Sequence, residues 1–168
     1  AGADRVLTVD LHAGQIQGFF NIPVDELTAV PILARSFQEM ELSNLVVAAT
    51  DVGDAKRARD MADILDAPIA IVEKHRIGNE DRVEAVNLIG DVKGKTALIV
   101  DDEIGTGGTV IATAMALEEH GAGDIYCSVT HPVLSGNATR LIEDSIIKEL
   151  TVTDTLPVPS EKNGSKIK

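Results

Sequence analysis

Tryptophan is absent from this chain, tyrosine occurs once and phenylalanine three times. A core of large aromatic rings is thereby excluded. Packing must rest on Val, Ile, Leu and Ala, the usual fill of a sheet buried on both faces. Cysteine is nearly absent too: the lone Cys127 rules out an intrachain disulfide and suits a reducing compartment. No apolar run approaches the ~18 residues that span a membrane, and no charged-then-apolar leader opens the sequence. A cytoplasmic protein with no membrane partner is expected. Basic residues are scarce, 15 Lys and Arg against 27 Asp and Glu, for a formal charge of −12. That balance argues against a nucleic-acid partner, which favours a basic face. Phosphates can still be bound, but only by local devices: backbone N–H groups, a metal ion or a few basic side chains.

What is present is alternation. The chain has 168 residues, 44% of them hydrophobic, which suits one domain with a real core. Short β-branched runs at 5–11, 44–50, 68–74, 96–102 and 124–131 read as strands. Segments of helical period at 24–40, 53–66 and 108–121 lie between them, with Pro31 expected to kink or split the first. Another short strand and turn is expected over 85–95, and a late strand over 146–154. The pattern predicts an α/β domain over 1–156, with a mainly parallel sheet and helices on both faces. A polar tail, 157–168, is expected to fray. Such sheets bind ligands beyond the carboxyl ends of their strands. His12, Asp51, Lys74 with Arg76, Asp101 with Asp102, and His131 all fall at such ends.

The stretch "TALIVDDEIGTGGTVIATAMALEEHGA", 96–122, concentrates the signal. It is not a dinucleotide fingerprint, because Val110 stands where the third glycine belongs. Nor is "GDVKGKT", 90–96, a P-loop: its glycines are one residue too close, and it precedes a strand. The Gly/Thr cluster instead offers successive backbone N–H groups and hydroxyls at a helix N-terminus, which hold a phosphate monoester without net positive charge. Asp101 and Asp102, just upstream, are placed to accept hydrogen bonds from vicinal sugar hydroxyls. Amides for a phosphate and carboxylates for a diol describe a ribose 5-phosphate site. The plain alternative is a strand end followed by helix-capping Asp and Thr.

"VDDEIGTGGT", 100–109, resembles the phosphoribosyl-diphosphate (PRPP) binding motif of type I phosphoribosyltransferases and ribose-phosphate diphosphokinases. "RVLTVDLHAGQIQGFFNIPVDEL", "DVGDAKRARDMAD", "NLIGDVKGKTALIVDD", "THPVLSGNATRLIEDS" and "ELTVTDTLP" are similar to the diphosphokinase family, almost without a break from Arg5 to Leu156. The resemblance covers roughly the second half of a family member. It implies a phosphoribosyltransferase-like fold and transfer of the β,γ-diphosphoryl group of ATP to the anomeric hydroxyl of ribose 5-phosphate, giving PRPP and AMP. Mg²⁺ as cofactor, ATP as co-substrate and a homo-oligomer are implied with it.

Residue by residue, the resemblance makes His12 and Asp51 metal ligands, with Asp51 alternatively a ribose contact. Lys74 and Arg76 become catalytic cations at the start of a mobile loop. Asp101 and Asp102 would hold the ribose hydroxyls, and Thr106, Gly107, Gly108 and Thr109 the 5-phosphate, with Gly105 in the same loop. Taken alone, "AKRARD", 55–60, reads as an exposed helix face, although Lys56 and Arg57 could reach a diphosphate. His131 is read as structural.

Two residues depart from the family pattern. Gly105 stands where an aspartate is usual; it keeps the backbone N–H but loses a carboxylate. Asp54 replaces a usual glycine and puts negative charge where a diphosphate would lie, which costs affinity unless a metal intervenes. Two rivals therefore stay open: a phosphoribosyltransferase that consumes PRPP, and a non-catalytic regulatory homologue of the synthetase.

Overall fold

The β-branched runs become strands and the segments between them pack across the sheet. The computed structural model describes residues 2–76, 83–158 and 164–168, with the backbone alone at 74–76 and 83–86. The strands are β1 (Val6–Val9), β2 (Val24–Leu27), β3 (Leu45–Ala49), β4 (Ile69–Arg76), β5 (Val83–Ile89), β6 (Thr96–Glu103), β7 (Ile125–His131) and β8 (Ile147–Val152). The helices are α1 (Val30–Glu39), α2 (Ala55–Leu65), α3 (Gly108–Glu119) and α4 (Ala138–Glu143), with a 3-10 turn at Gly14–Phe19. Six strands form the main sheet in the order β5-β4-β3-β6-β7-β8. Every neighbouring pair is parallel except β4 with β5.

Strand alternation distributes the core over two faces. Val46, Ala48, Ala97 and Ile99 face one side and pack with α3 and α4. Val47, Ala49, Leu98 and Val100 face the other and pack with α1 and α2. Helices thus cover both faces, as the pattern predicts. Cys127 is fully buried on the α3 side, and burial pushes its thiol upward, away from reactivity.

The expected helix over 24–40 is corrected at its start. Val24–Leu27 is strand β2, paired in parallel with β1 as a separate two-stranded sheet. Pro31 does not kink the helix; it lies in the first turn of α1, where its missing N–H costs nothing. The polar tail is also corrected in part, since residues 164–168 do not fray. Leu150 N–H donates to the Lys166 carbonyl at 2.8 Å, Lys168 N–H donates to that of Leu150 at 3.0 Å, and Ile167 is buried.

Two side chains at the end of β7 tie the small sheet to the large one. Thr130 Oγ1 donates to Asp10 Oδ2 at 2.7 Å, and His131 Nε2 donates to the Val9 carbonyl at 2.9 Å. Asp10 Oδ2 also accepts the Ala29 N–H at the start of α1, at 2.9 Å. His131 is therefore structural, and the segment it anchors is the one that carries His12.

Candidate functional site

Near its end strand β6 carries Asp101 and Asp102, and the two-residue pleat sends them to opposite sides. Asp101 continues the Ile99 side and meets Thr50, whose hydroxyl lies 3.2 Å from Asp101 Oδ2. Asp102 continues the Val100 side, and its Oδ2 lies 2.8 Å from Nδ1 of His12. Both aspartates are buried, at 9% and 2% exposure. After β6 the chain turns through Gly107, whose φ of +83° is a left-handed conformation that favours glycine, and enters α3 at Gly108. The turn is pinned from outside: Ile104 N–H donates to the His131 carbonyl, and Ser135 N–H to that of Gly105 at 2.9 Å. The first turn of α3 has no intrahelical partners for its N–H groups.

Gly105, Thr106, Gly107, Gly108 and Thr109 line a cavity of about 290 Å³ together with His12, Asp51, Asp54, Asp101 and Asp102. The topology brings all the residues read as sugar, phosphate and metal contacts to one groove at the carboxyl end of the sheet. The two read as catalytic cations are another matter. The backbone of Lys74 and Arg76 belongs to β4, but their side chains lie outside the described residues. Gly105 needs no glycine on steric grounds, since a Cβ there would meet nothing within 4 Å and its φ is not positive.

Neither expected metal ligand stands free. His12 is engaged by Asp102, and Oδ1 of Asp51 accepts the Asp54 N–H at 3.1 Å, closing the turn into α2. The hydrogen bond to Asp102 and its charge raise the His12 pKa above its ordinary value.

Residues beyond the expected sugar, phosphate and metal contacts complete the groove. Arg57 is not part of an exposed face. Its side chain is 16% exposed, against 88% for the adjacent Lys56, because one step along a helix turns the side chain about 100°. Arg57 lies 3.3 Å from Asp10 Oδ1, 3.5 Å from Asp54 Oδ1 and 3.8 Å from Asp102 Oδ2. These are ionic contacts rather than aligned hydrogen bonds, since Arg57 Nε is buried without a hydrogen-bond partner among the described residues. The three-residue spacing of Asp54 and Arg57 was the available signal, because it places them on one helix face. Asp10 had no comparable signal.

Asp54, Asp101 and Asp102 bring carboxylate oxygens within 4.8 Å of one another. Burial first, and then the charge of Asp54 and the proximity of Asp102, push Asp101 up to about 7. Burial also raises Asp54, against the pull of the Thr50 hydroxyl and the Arg57 charge. Asp10 moves the other way: its burial is outweighed by hydrogen bonds from the Ala29 N–H and Thr130 and by the charge of Arg57. The hard oxygen donors and the unpartnered, buried Asp102 Oδ1 suit a magnesium-like cation. A second cavity of about 690 Å³ shares His12, Asp51 and Asp54 and continues past Lys56 and Arg57.

Comparison with known proteins identifies the family. The phosphoribosyl synthetase-associated domain family matches residues 79–168, more than half of the chain. A ribose-phosphate pyrophosphokinase of Caldanaerobacter subterraneus subsp. tengcongensis is 53% identical over 100% of this chain and 53% of its own. One from Oceanobacillus iheyensis is 51% identical over 99% of this chain and 52% of its own. The crystal structure of phosphoribosylpyrophosphate synthetase from Mycobacterium smegmatis superposes with a TM-score of 0.90 at 37% identity, covering 99% of this chain and 54% of that one. A purine phosphoribosyltransferase from Pyrococcus horikoshii shares the fold, with a TM-score of 0.52 at 21% identity over 80% of this chain and 83% of that one. The chain spans about half the length of the curated relatives it matches.

Proposed function

The chain belongs to the phosphoribosyl synthetase-associated domain family and is a ribose-phosphate pyrophosphokinase-like domain; on that premise we propose that it binds ribose 5-phosphate and PRPP. In this reading it serves nucleotide biosynthesis, as part of a catalyst that moves the β,γ-diphosphoryl group of ATP to the anomeric hydroxyl of ribose 5-phosphate. The anomeric oxygen bonds to the β-phosphorus as the bond from that phosphorus to AMP breaks. The observation that carries the reading is the meeting of a buried carboxylate pair with a left-handed Gly107 turn at the start of α3, in one groove.

Asp101 and Asp102 accept hydrogen bonds from the ribose hydroxyls, while the amides of 105–109 hold the 5-phosphate at the positive end of the helix. His12 and Asp51, at the rim, would hold Mg²⁺ in exchange for their present hydrogen bonds, and the metal would neutralise charge on the transferring phosphoryl groups. Lys74 and Arg76 supply further positive charge from the end of β4. Self-association is part of the proposal. Leu7, Ile16, Phe19 and Leu27 lie exposed on the small sheet and its 3-10 turn, and association would cover them.

Asp54 favours a second reading, that of a non-catalytic homologue that regulates a complete synthetase. Its carboxylate lines both cavities, where it opposes a diphosphate.

Calorimetric titration with ribose 5-phosphate, PRPP and ATP, each with and without Mg²⁺, tests the proposal. Saturable sugar-phosphate binding that Asp102→Ala abolishes is the expected result; none with any of the three ligands overturns it. Release of AMP from ATP marks the synthetase reaction. Release of diphosphate from PRPP and a base would mark a phosphoribosyltransferase instead.

A further inference from the structure

The carboxylate at position 54 changes what the floor of the groove can hold. It belongs to the turn before α2, and it joins the two aspartates near the end of β6. Oxygens of all three lie within 4.8 Å of one another. The nearby positive charge is too small for this set. Arg57 is its one buried guanidinium contact among the described residues, and Arg57 is shared with Asp10, at 3.3 Å. Lys56, the adjacent cation, points to solvent and pairs with Asp60 at 2.8 Å. The three carboxylates share one guanidinium and, at Asp102, the His12 ring 2.8 Å away, so negative charge is in surplus when all three are ionised.

The hydrogen bonds do not remove that surplus. The Thr50 hydroxyl lies between Asp54 Oδ2, at 2.9 Å, and Asp101 Oδ2, at 3.2 Å, and its single hydrogen can serve only one of them. Asp102 offers a second, separate sign. The residue is 2% exposed and lines the groove, yet its Oδ1 is buried without a partner among the described residues. A buried carboxylate oxygen left unpaired is costly unless something supplies positive charge to it.

We infer that Asp54, Asp101 and Asp102 form a divalent-cation site at the floor of the groove, filled before any sugar or nucleotide arrives. All three donors are hard oxygens, with no thiolate and no imidazole among them, which selects Mg²⁺, Mn²⁺ or Ca²⁺ over softer metals. Three side chains fill half of an octahedral shell, and water or substrate oxygens complete it. Such a cation turns Asp54 from an obstacle to an anionic ligand into a bridge toward one. The site shares its groove with the proposed sugar-phosphate reading, but its occupancy does not depend on that reading.

Mn²⁺ titration of the ligand-free protein, followed by the electron paramagnetic resonance signal of free Mn²⁺, tests this. Wild type should bind Mn²⁺ stoichiometrically, with Mg²⁺ competing. Asp54→Asn should weaken that binding by about tenfold or more, since ligand charge sets the affinity of such sites. Asp54→Ser serves as a second variant if the first is poorly folded by circular dichroism. Asp60→Asn, one helical face away, should leave the titration unchanged. Equal Mn²⁺ affinity in wild type and a folded position-54 variant overturns the inference, as does a wild type that binds none. The Mn²⁺ titration contains no sugar phosphate, so its outcome is read independently of whether ribose 5-phosphate binds.

Discussion

Nδ1 of His12 lies 2.8 Å from Oδ2 of Asp102, joining the small sheet to the end of β6 across 90 residues of chain. Asp102 is buried and His12 largely exposed, so the pair forms a wall of the groove rather than part of its core. The contact raises the His12 pKa. A group with a raised folded pKa contributes stability that is complete below its unfolded pKa and lost as pH rises through the folded value. Asp102→Asn should return the His12 titration, followed by NMR, toward 6.5. An unchanged titration would show that the contact is not held in solution.

Asp101 makes a prediction of its own. Its pKa is pushed from 3.8 up to about 7, so the folded protein holds a proton there that the unfolded chain has already lost. Stability should therefore fall as pH rises from 4 through 7, and Asp101→Asn should remove that fall. One pKa unit is worth about 1.4 kcal/mol, and the neighbours share the shift. A gain of roughly 2 kcal/mol, or about 4–8 °C in Tm, is expected at pH 8 in EDTA. Affinity for ribose 5-phosphate should fall in the same variant. A less stable Asp101→Asn would contradict the account.

The two glycines of the loop should respond differently. Gly107→Ala forces a side chain into φ +83°, while its Cβ would find only ordinary contacts near Ala138 at 3.9 Å. Backbone strain alone should cost about 1–2 kcal/mol, with a weaker phosphate cradle besides. Gly105→Asp meets no obstruction and should stay within about 0.5 kcal/mol of wild type. Thermal melts of the two variants check the contrast.

Arg57 and Lys56 are neighbours with very different expected costs. Arg57→Met leaves Asp10, Asp54 and Asp102 without their shared cation and should destabilise by about 3–5 kcal/mol, as breaking a buried pair does. Lys56→Met removes an exposed pair with Asp60 and should cost less than about 0.5 kcal/mol. Urea unfolding at neutral pH separates them; equal midpoints would show that Arg57 is not the buried member.

The main sheet was legible because β-branched runs alternate with helical periods over most of the chain. Where legibility failed, long-range contacts decided. "VDEL", 24–27, lies within a pattern of helical period, and only pairing with β1 makes it a strand. Ile167 is buried because the edge of β8 accepts it, which the polar composition of its neighbours hides. The loop after β6 was readable from residue type and order alone, since glycine, threonine and paired aspartates signal locally. Asp10 was not, because its role is to bind the start of α1 and Thr130, far away in sequence.

In the proposed function the turn from 105 to 109 holds the phosphate of a ribose 5-phosphate whose hydroxyls meet Asp101 and Asp102. The most direct test is the amide NMR spectrum of the ¹⁵N-labelled protein titrated with ribose 5-phosphate in Mg²⁺. Saturable shifts of the Thr106, Gly107, Gly108 and Thr109 amides, larger than those caused by inorganic phosphate and lost in Asp102→Ala, are predicted. Amides in this turn that stay unmoved at saturating sugar phosphate would contradict it.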